Sequence, residues 1–324
     1  MLNPLLIVLS LASTGPTTAS LQKDLQRVVT ESDGKVGICS WSLAASEAVC
    51  INGLERFPLQ SVMKLIVSAA VMDAIDQKRM KLEDLITVKP EHASPGPQEF
   101  ADLVRKKGSL AVTVEELMRR SIVDSDSTSI DILIEKLGGM RTVQSFLKAK
   151  NITDIRIDRN ERDLQSEFCG FPWQAAYADP QKFEATMKAV PPAKRDQALE
   201  TYLKDPRDTA TPLGMVKFLK ALAEGKLLSR TSTEKLLSIM EMTVTGPDRL
   251  KAGLPPGWKI GHKTGTSFTW NGRAAATNDV GILTAPNAAR IAIAVFVTDS
   301  RHSPDERALV IAKAAKAVTG SFAP

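Results

Sequence analysis

The clearest strand-forming segments of this chain stand near its two ends, with a long helix-rich stretch between them. Residues 36–43 and 48–51 are short apolar segments flanking Ala44-Ala-Ser-Glu47, which reads as a hairpin turn. Far downstream, residues 279–283 and 290–297 read as buried strands joined by a loop at Pro286-Asn287. Strands adjacent in sequence favour antiparallel pairing, with helices packed on the sheet. The expected fold is therefore α+β, an antiparallel sheet flanked by helices plus an inserted all-helical domain. The sheet domain takes residues 21–56 and 213–324, and the helical domain residues 57–212.

Helix signals fill the middle and recur at the end. Residues 21–30 have helical periodicity through Leu21, Leu25, Val28 and Val29. An apolar run, 65–72, continues a helix to Asp76. Residues 82–88 form a short segment, and 90–97 a turn-rich loop. Thr113-Val-Glu-Glu116 is a capping box opening a helix over 114–122. Further helices are expected at 128–137, stopping at Gly138-Gly139, and at 140–150. Residues 151–208 read as irregular, with Phe168-Cys-Gly-Phe-Pro-Trp173 a turn-prone apolar patch. Short helices at 180–190 and 192–202 would start near proline. Thr211-Pro212 has N-cap and N1 chemistry for a helix through Leu222, and helices at 233–242 and 305–318 complete the set.

Composition narrows the function classes. At 324 residues, 43% hydrophobic and 24% charged, the chain fits an ordinary soluble globular protein. The net charge of +5 comes without a run of lysines and arginines, and aromatics are few, so no nucleic-acid partner is expected. Residues 1–20 read as a secretory signal, with 5–12 as its apolar core and Thr17-Thr-Ala-Ser20 as the cleavage segment. No cysteine follows that core as a lipid anchor, and no later stretch is long and apolar enough to span a membrane. An exported monomer, periplasmic or secreted and without a membrane anchor, is expected. Cys39 and Cys50 lie on opposite sides of the predicted hairpin, either as a disulfide or as two packed thiols, and Cys169 is left over. Three cysteines without ligand spacing and three scattered histidines argue against a metal site, and no cofactor is expected.

The chemistry centres on Ser61 and Lys64, three residues apart at the head of the apolar run. On a helix that spacing places a hydroxyl and an amine on one face. At a helix N-terminus, free N–H groups favour developing negative charge. Serine needs a base to become a nucleophile. Lysine serves as one when burial or neighbouring cations lower its pKa. The plain alternative is a surface serine and a snorkelling lysine. Three more clusters follow in order: Ser125-Asp126-Ser127 before a helix, Glu161 and Gln165 in the irregular segment, and Lys263-Thr-Gly265 ending in a glycine that permits close backbone approach.

Together these strings resemble the class A serine β-lactamases, whose motif set is Ser-x-x-Lys, Ser-Asp-Asn and Lys-Thr-Gly. Arg56-Phe-Pro, Asp158-Arg-Asn-Glu161, Arg207-Asp-Thr-Ala-Thr-Pro212, Asn278-Asp-Val280 and Asp305-Glu-Arg307 extend the resemblance over residues 36–318. His262-Lys-Thr-Gly-Thr-Ser267 with Ala276-Thr-Asn-Asp279 looks most like the divergent extended-spectrum branch.

The resemblance implies a β-lactam substrate and a serine β-lactamase/transpeptidase-like fold. It implies that Ser61 attacks the lactam carbonyl and that Lys64, directly or with Glu161 and a water, moves the proton. The N–H groups of Ser61 and Thr266 would form the oxyanion hole. Ser125 would pass a proton to the leaving nitrogen. Lys263 would hold Ser125 and attract the substrate carboxylate, with Thr264 and Ser267 donating hydrogen bonds. Glu161 would activate the water that hydrolyses the acyl-enzyme. Asp126 reads as structural, satisfying backbone donors. His262 either tunes Lys263 or is inert.

Three departures accompany the resemblance. Ser127 replaces an asparagine that holds the substrate amide, and Gln165 replaces an asparagine that helps hold the deacylating water. Between Gln165 and Arg207 the chain is longer than family members need, and Arg159 and Asp208 match the salt bridge at the neck of this extended loop, 159–208. Phe168, Phe171, Trp173 and Tyr177 would give this excursion a small core or else cover the site. Arg273, Arg290 and Arg301 are candidates for an extra cation near the substrate carboxylate. The rival readings are a D-Ala-D-Ala carboxypeptidase or transpeptidase, and a β-lactam sensor that deacylates slowly.

Overall fold

The computed structural model describes residues 18–96 and 98–322. The apolar segment 5–12 expected as a signal core lies outside them, and residues 18–20 of the expected cleavage segment form the first turn of a helix. That helix, α1 (Thr18–Thr30), buries Leu21, Leu25 and Val28. β1 (Lys35–Ser42) and β2 (Val49–Ile51) then form the expected hairpin. Its register sets Cys39 opposite Cys50, and the two are joined as a disulfide. Cys169 is a buried free thiol.

β3 (Phe57–Pro58) leads through a 3-10 turn, Gln60–Val62, into α2 (Met63–Asp76). Ser61 therefore sits in the turn just ahead of the helix, and Lys64 in the helix's first turn. Every residue from Met63 to Ala74 is buried, so α2 is a core helix apolar on nearly all sides. β4 (Leu85–Val88) pairs antiparallel with β5 (Leu110–Thr113) around α3 (Glu99–Lys107). α4 (Val114–Val123) starts at Thr113, whose Oγ1 accepts from the Glu116 N–H at 3.2 Å. Only this half of the predicted capping box forms. The Glu116 carboxylate binds Arg119 and Arg120, at 2.7 and 2.8 Å, because charge-assisted bonds outweigh one neutral amide. α5 (Ser127–Lys136) stops before Gly138 and Gly139, both at φ +93°, and α6 (Met140–Ala149) follows.

Segment 151–208 is more helical than expected. It contains α7 (Glu161–Phe168) in addition to the two anticipated helices, α8 (Pro180–Ala189) and α9 (Pro192–Lys204). Phe168, Phe171, Tyr177, Phe183, Leu199 and Tyr202 form a cluster separate from the main core, with Trp173 packed against it. The aromatic residues of the excursion thus pack on one another, which spares them exposure.

β6 (Thr209–Ala210) pairs with β3 and returns the chain to the nucleophile turn. α10 (Pro212–Ala223) is capped by Thr211, whose Oγ1 accepts from Gly214 N at 2.9 Å. α11 (Arg230–Glu241) begins ahead of the predicted residue 233, because Ser229 caps it. The remaining elements are β7 (Lys259–Thr266), β8 (Thr269–Trp270), β9 (Arg273–Ala274), β10 (Thr277–Thr284), β11 (Arg290–Thr298) and α12 (Pro304–Gly320).

The main sheet runs β2-β1-β11-β10-β7 with every neighbour antiparallel, as the α+β expectation requires. Its central strands are buried on both faces. Ile291, Ile293, Val295 and Val297 of β11 join the core formed with α1 and α12, while Ala292, Ala294 and Phe296 join the core formed with α2 and α10. β7 lies at one edge of the sheet, against the Ser61 turn. A Cβ on Gly265 would fall 2.4 Å from the Leu59 carbonyl oxygen, so only glycine permits this approach. Asn278 on β10 ties the same turn down, donating to the carbonyls of Pro58 and Leu59 at 2.7 and 3.1 Å. No helix of the described residues is long and apolar enough to cross a membrane.

Candidate active site

Ser61 is half-buried in the 3-10 turn that leads into α2. Lys64, one turn further in, is fully buried. Its Nζ donates to the Ser125 carbonyl at 2.6 Å and to Ser127 Oγ at 2.9 Å, and lies 3.4 Å from Ser125 Oγ and 3.3 Å from Glu161 Oε1. Glu161 Oε1 also accepts from the Ser61 hydroxyl at 3.4 Å. Glu161 Oε1 thus meets both the Ser61 hydroxyl and the Lys64 ammonium.

Ser125 is placed by backbone. It adopts φ +60° between α4 and α5, and Asp126 next to it caps α5 by accepting from Ser129 N at 2.6 Å. Lys263 on β7 donates to Ser125 Oγ at 2.9 Å and to the Thr264 carbonyl at 3.0 Å. Ser125 Oγ is thereby within reach of two lysines. Burial, reinforced by the charge of Lys64, holds the Lys263 ammonium well below the usual lysine range.

Glu161 opens α7 and is fully buried. Burial pushes its carboxyl up. The charge of Lys64 and the hydrogen bonds from Gln165, Lys64 and Ser127 outweigh that and leave it below the ordinary value, hence ionised at neutral pH. Ser127 donates to Glu161 Oε2 at 3.2 Å while accepting from Lys64, so its one hydroxyl proton is spent on the carboxylate. Gln165, one turn along α7, donates to the same Oε2 at 3.1 Å. The network thus pairs a hydroxyl at a helix N-terminus with an ionised carboxylate, and a second hydroxyl with two lysines. That is the chemistry of acyl transfer.

A model of the β-lactamase enzyme family matches residues 20–322. The chain belongs to that family, in its class A. It is 31% identical to the β-lactamase VEB-1 of Pseudomonas aeruginosa over 96% of this chain and 95% of that one. It is 28% identical to the extended-spectrum β-lactamase PER-1 of the same species, over 96% and 90%. Among solved structures, the TLA-1 extended-spectrum β-lactamase superposes with a TM-score of 0.77 at 27% identity, covering 94% of this chain and 99% of that one. A class A β-lactamase from Bacteroides cellulosilyticus DSM 14838 gives 0.76 at 27% identity, over 94% and 98%. The protein is a serine β-lactamase, a β-lactam hydrolase.

Several parts of this β-lactamase's site left little or no signal in the sequence. Asp131 on α5 accepts from the N–H groups of Glu161 and Arg162, at 2.8 and 3.1 Å, and from Ser94 Oγ at 2.7 Å, which fixes the start of α7. Gln98 accepts from the N–H groups of Ser127 and Thr128, at 2.8 and 2.9 Å. Arg249 donates to Thr266 Oγ1 at 2.7 Å and to the Asn278 carbonyl at 3.0 Å, beside Lys263-Thr-Gly. Its only cue was the turn pair Gly246-Pro247 just ahead.

The three arginines considered instead lie elsewhere. Arg273 pairs with Glu200 and Asp299 at 2.5 and 2.6 Å, Arg290 donates to the Ala223 carbonyl at 3.2 Å, and exposed Arg301 meets Asp33 through its backbone N–H. The Arg273 and Arg290 guanidinium groups answer nearby carboxylates or a carbonyl, and among the described residues none of the three hydrogen-bonds to β7. Thr264 Oγ1 shares a 2.7 Å hydrogen bond with Thr245 Oγ1, and Thr266 is exposed. Ser267 follows directly on the last residue of β7. Its buried hydroxyl accepts from Ala276 N at 2.9 Å and closes the mouth between β7 and β10. His262 pairs with Asp279 at 2.8 Å inside the sheet, so the inert reading fits it.

Proposed function

We propose that the β-lactamase works through a Ser61 acyl-enzyme, and that Glu161 is the base for its hydrolysis. The contact between Ser61 Oγ and Glu161 Oε1, at 3.4 Å, carries this reading. Ser61 Oγ attacks the lactam carbonyl as its proton passes by way of Lys64 to Ser125. The N–H groups of Ser61 and Thr266 receive the oxyanion, where preorganised dipoles act most strongly. The C–N bond then breaks, and Ser125, between Lys64 and Lys263, delivers a proton to the departing nitrogen. Glu161 next takes a proton from water as the water oxygen attacks the ester, and passes it to Ser61 Oγ as the ester bond breaks. Lys263, Arg249, Thr264 and Gly265 line the side where the substrate carboxylate binds.

Ser127 serves the carboxylate and the lysine rather than the substrate amide, because its proton is already committed. Gln165 keeps an amide N–H on Glu161, as a water-holding residue at this place must. Arg159 and Asp208 close the neck of an enlarged loop, and 166–206 are its insertion. The protein is exported, with residues 1–20 removed, and acts as a monomer. It divides into a sheet domain, 21–56 with 213–324, and a helical domain, 57–212; that the five-stranded sheet draws all its strands from the first supports this reading.

The test is intact mass after addition of a cephalosporin. A short-lived adduct that Ser61→Ala abolishes is expected. An adduct that persists for hours in the unmodified protein would favour a peptidase or sensor, and an adduct on Ser61→Ala would remove Ser61 as the nucleophile.

A further inference from the structure

We propose that Tyr202, on α9 of the excursion, is a positioning residue for the Glu161 carboxylate, acting through Gln60 and Gln165. The proposal rests on the reading of Glu161 as the deacylating base.

The four side chains form one continuous line. Tyr202 Oη accepts from Gln60 Nε2 at 2.5 Å. Gln60 Oε1 accepts from Gln165 Nε2 at 3.1 Å. Gln165 Nε2 gives its other hydrogen to Glu161 Oε2, also at 3.1 Å. An amide nitrogen carries two hydrogens, so both of those on Gln165 are used. The carboxylate at one end accepts only, which fixes the direction of every link. Gln165 must donate, Gln60 must turn its oxygen to Gln165 and its nitrogen away, and Tyr202 is the acceptor that meets that nitrogen. Gln60, Tyr202 and Glu161 are all buried, so none of these groups has water to turn to.

Gln60 also precedes the nucleophile and adopts φ +47°, a conformation unfavourable for a residue with a side chain. Its two side-chain bonds hold it there. Tyr202 is itself fixed. Its ring meets Phe168 edge-on at 4.9 Å, and burial keeps the phenol protonated. The outer side of α9 is clamped to the β8–β9 hairpin by Glu200 to Arg273, at 2.5 Å, and by Asp196 to the Trp270 indole, at 2.7 Å. The excursion therefore supplies the last link of the line that sets the carboxylate's angle.

Tyr202→Phe removes one oxygen and keeps the ring. Acylation and deacylation are measured separately in single turnovers of a chromogenic cephalosporin, beside the parent and Glu161→Ala. Misplacement of a base by a few tenths of an ångström predicts deacylation slowed about tenfold, with acylation changed less than about twofold. Steady-state kcat and KM then fall together while kcat/KM holds. In the Glu161→Ala background the same substitution should add no further loss, because both changes act on one group. Unchanged deacylation overturns the proposal, as does an equal loss in both steps accompanied by a lower Tm, which marks a merely structural tyrosine. Full turnover by Glu161→Ala itself would remove the base assignment and this line with it. Trapping by Glu161→Ala without slowing by Tyr202→Phe would remove only the line.

Discussion

Arg159 Nε lies 2.6 Å from Asp208 Oδ2, and this buried pair closes the neck of segment 159–208. Asp208 Oδ1 accepts in addition from the N–H groups of Asp158 and Arg159, at 2.6 and 3.0 Å. The Asp208 carbonyl accepts from Leu59 N at 2.9 Å, so the neck is tied to the turn that carries Ser61. A second arm of the guanidinium reaches Glu167 at 2.6 Å.

Arg159→Ala should therefore be costly. It leaves Asp208, which has no exposed surface, without its counter-charge. Removing one partner of a buried pair destabilises by about 3–5 kcal/mol. Urea unfolding of the purified variant checks this, and a loss under about 1 kcal/mol would contradict the role given to the neck.

The deacylation rate should be bounded by pH on the acid side, and kcat/KM on the alkaline side. The net effect on Glu161 is a carboxyl below its ordinary value of 4.5, so the acid limb should fall below that pH as Glu161 gains a proton. Burial and Lys64 hold Lys263 well below its ordinary 10.5. As pH rises the ammonium is lost and with it the attraction for an anionic substrate, so the alkaline limb should lie below that value. An alkaline limb at 10.5 or above would mean that Lys263 titrates as a free lysine.

Asp131 gives a stability signature of its own. Burial raises its carboxyl from 3.8 to about 7, with Arg162 opposing and Glu161 reinforcing the shift. A raised folded-state pKa means that the native protein keeps a proton the unfolded chain has lost. The contribution is full below 3.8 and disappears as pH rises through about 7. Stability should decline across that window with a slope of at most about 1.4 kcal/mol per pH unit from this group. Asp131→Asn, which does not titrate, should show a shallower decline in urea unfolding at several pH values, and equal slopes for the two proteins would refute the assignment.

The sequence was most legible where function is written in short strings. Ser61 and Lys64, Ser125, Glu161 and Lys263 lie in local patterns, and the fold brings all of them to one network. The sheet was readable because its strands are apolar runs next to one another in the chain. Partners that meet across long separations were not readable. Asp131 meets Glu161 across 30 residues and Gln60 meets Tyr202 across 142, with no spacing rule to flag either. α7 escaped notice because Glu-Arg-Asp-Leu-Gln-Ser-Glu-Phe is mostly polar, with Leu164 and Phe168 alone marking its buried side among apolar residues. α3 and the β4–β5 ribbon were missed for a similar reason. They are short, and β5 runs straight into the Thr113 cap, whose helix signal dominates the stretch. For the cysteines, sequence left two outcomes open, and only the hairpin register decided between them.

The most direct test of the account is hydrolysis of a chromogenic cephalosporin by the purified protein beside its Glu161→Ala variant. The account predicts steady turnover by the parent and, in the variant, one rapid acylation of Ser61 followed by a deacylation at least about a hundredfold slower. Turnover by Glu161→Ala at the parent's rate would contradict it and assign deacylation to another base.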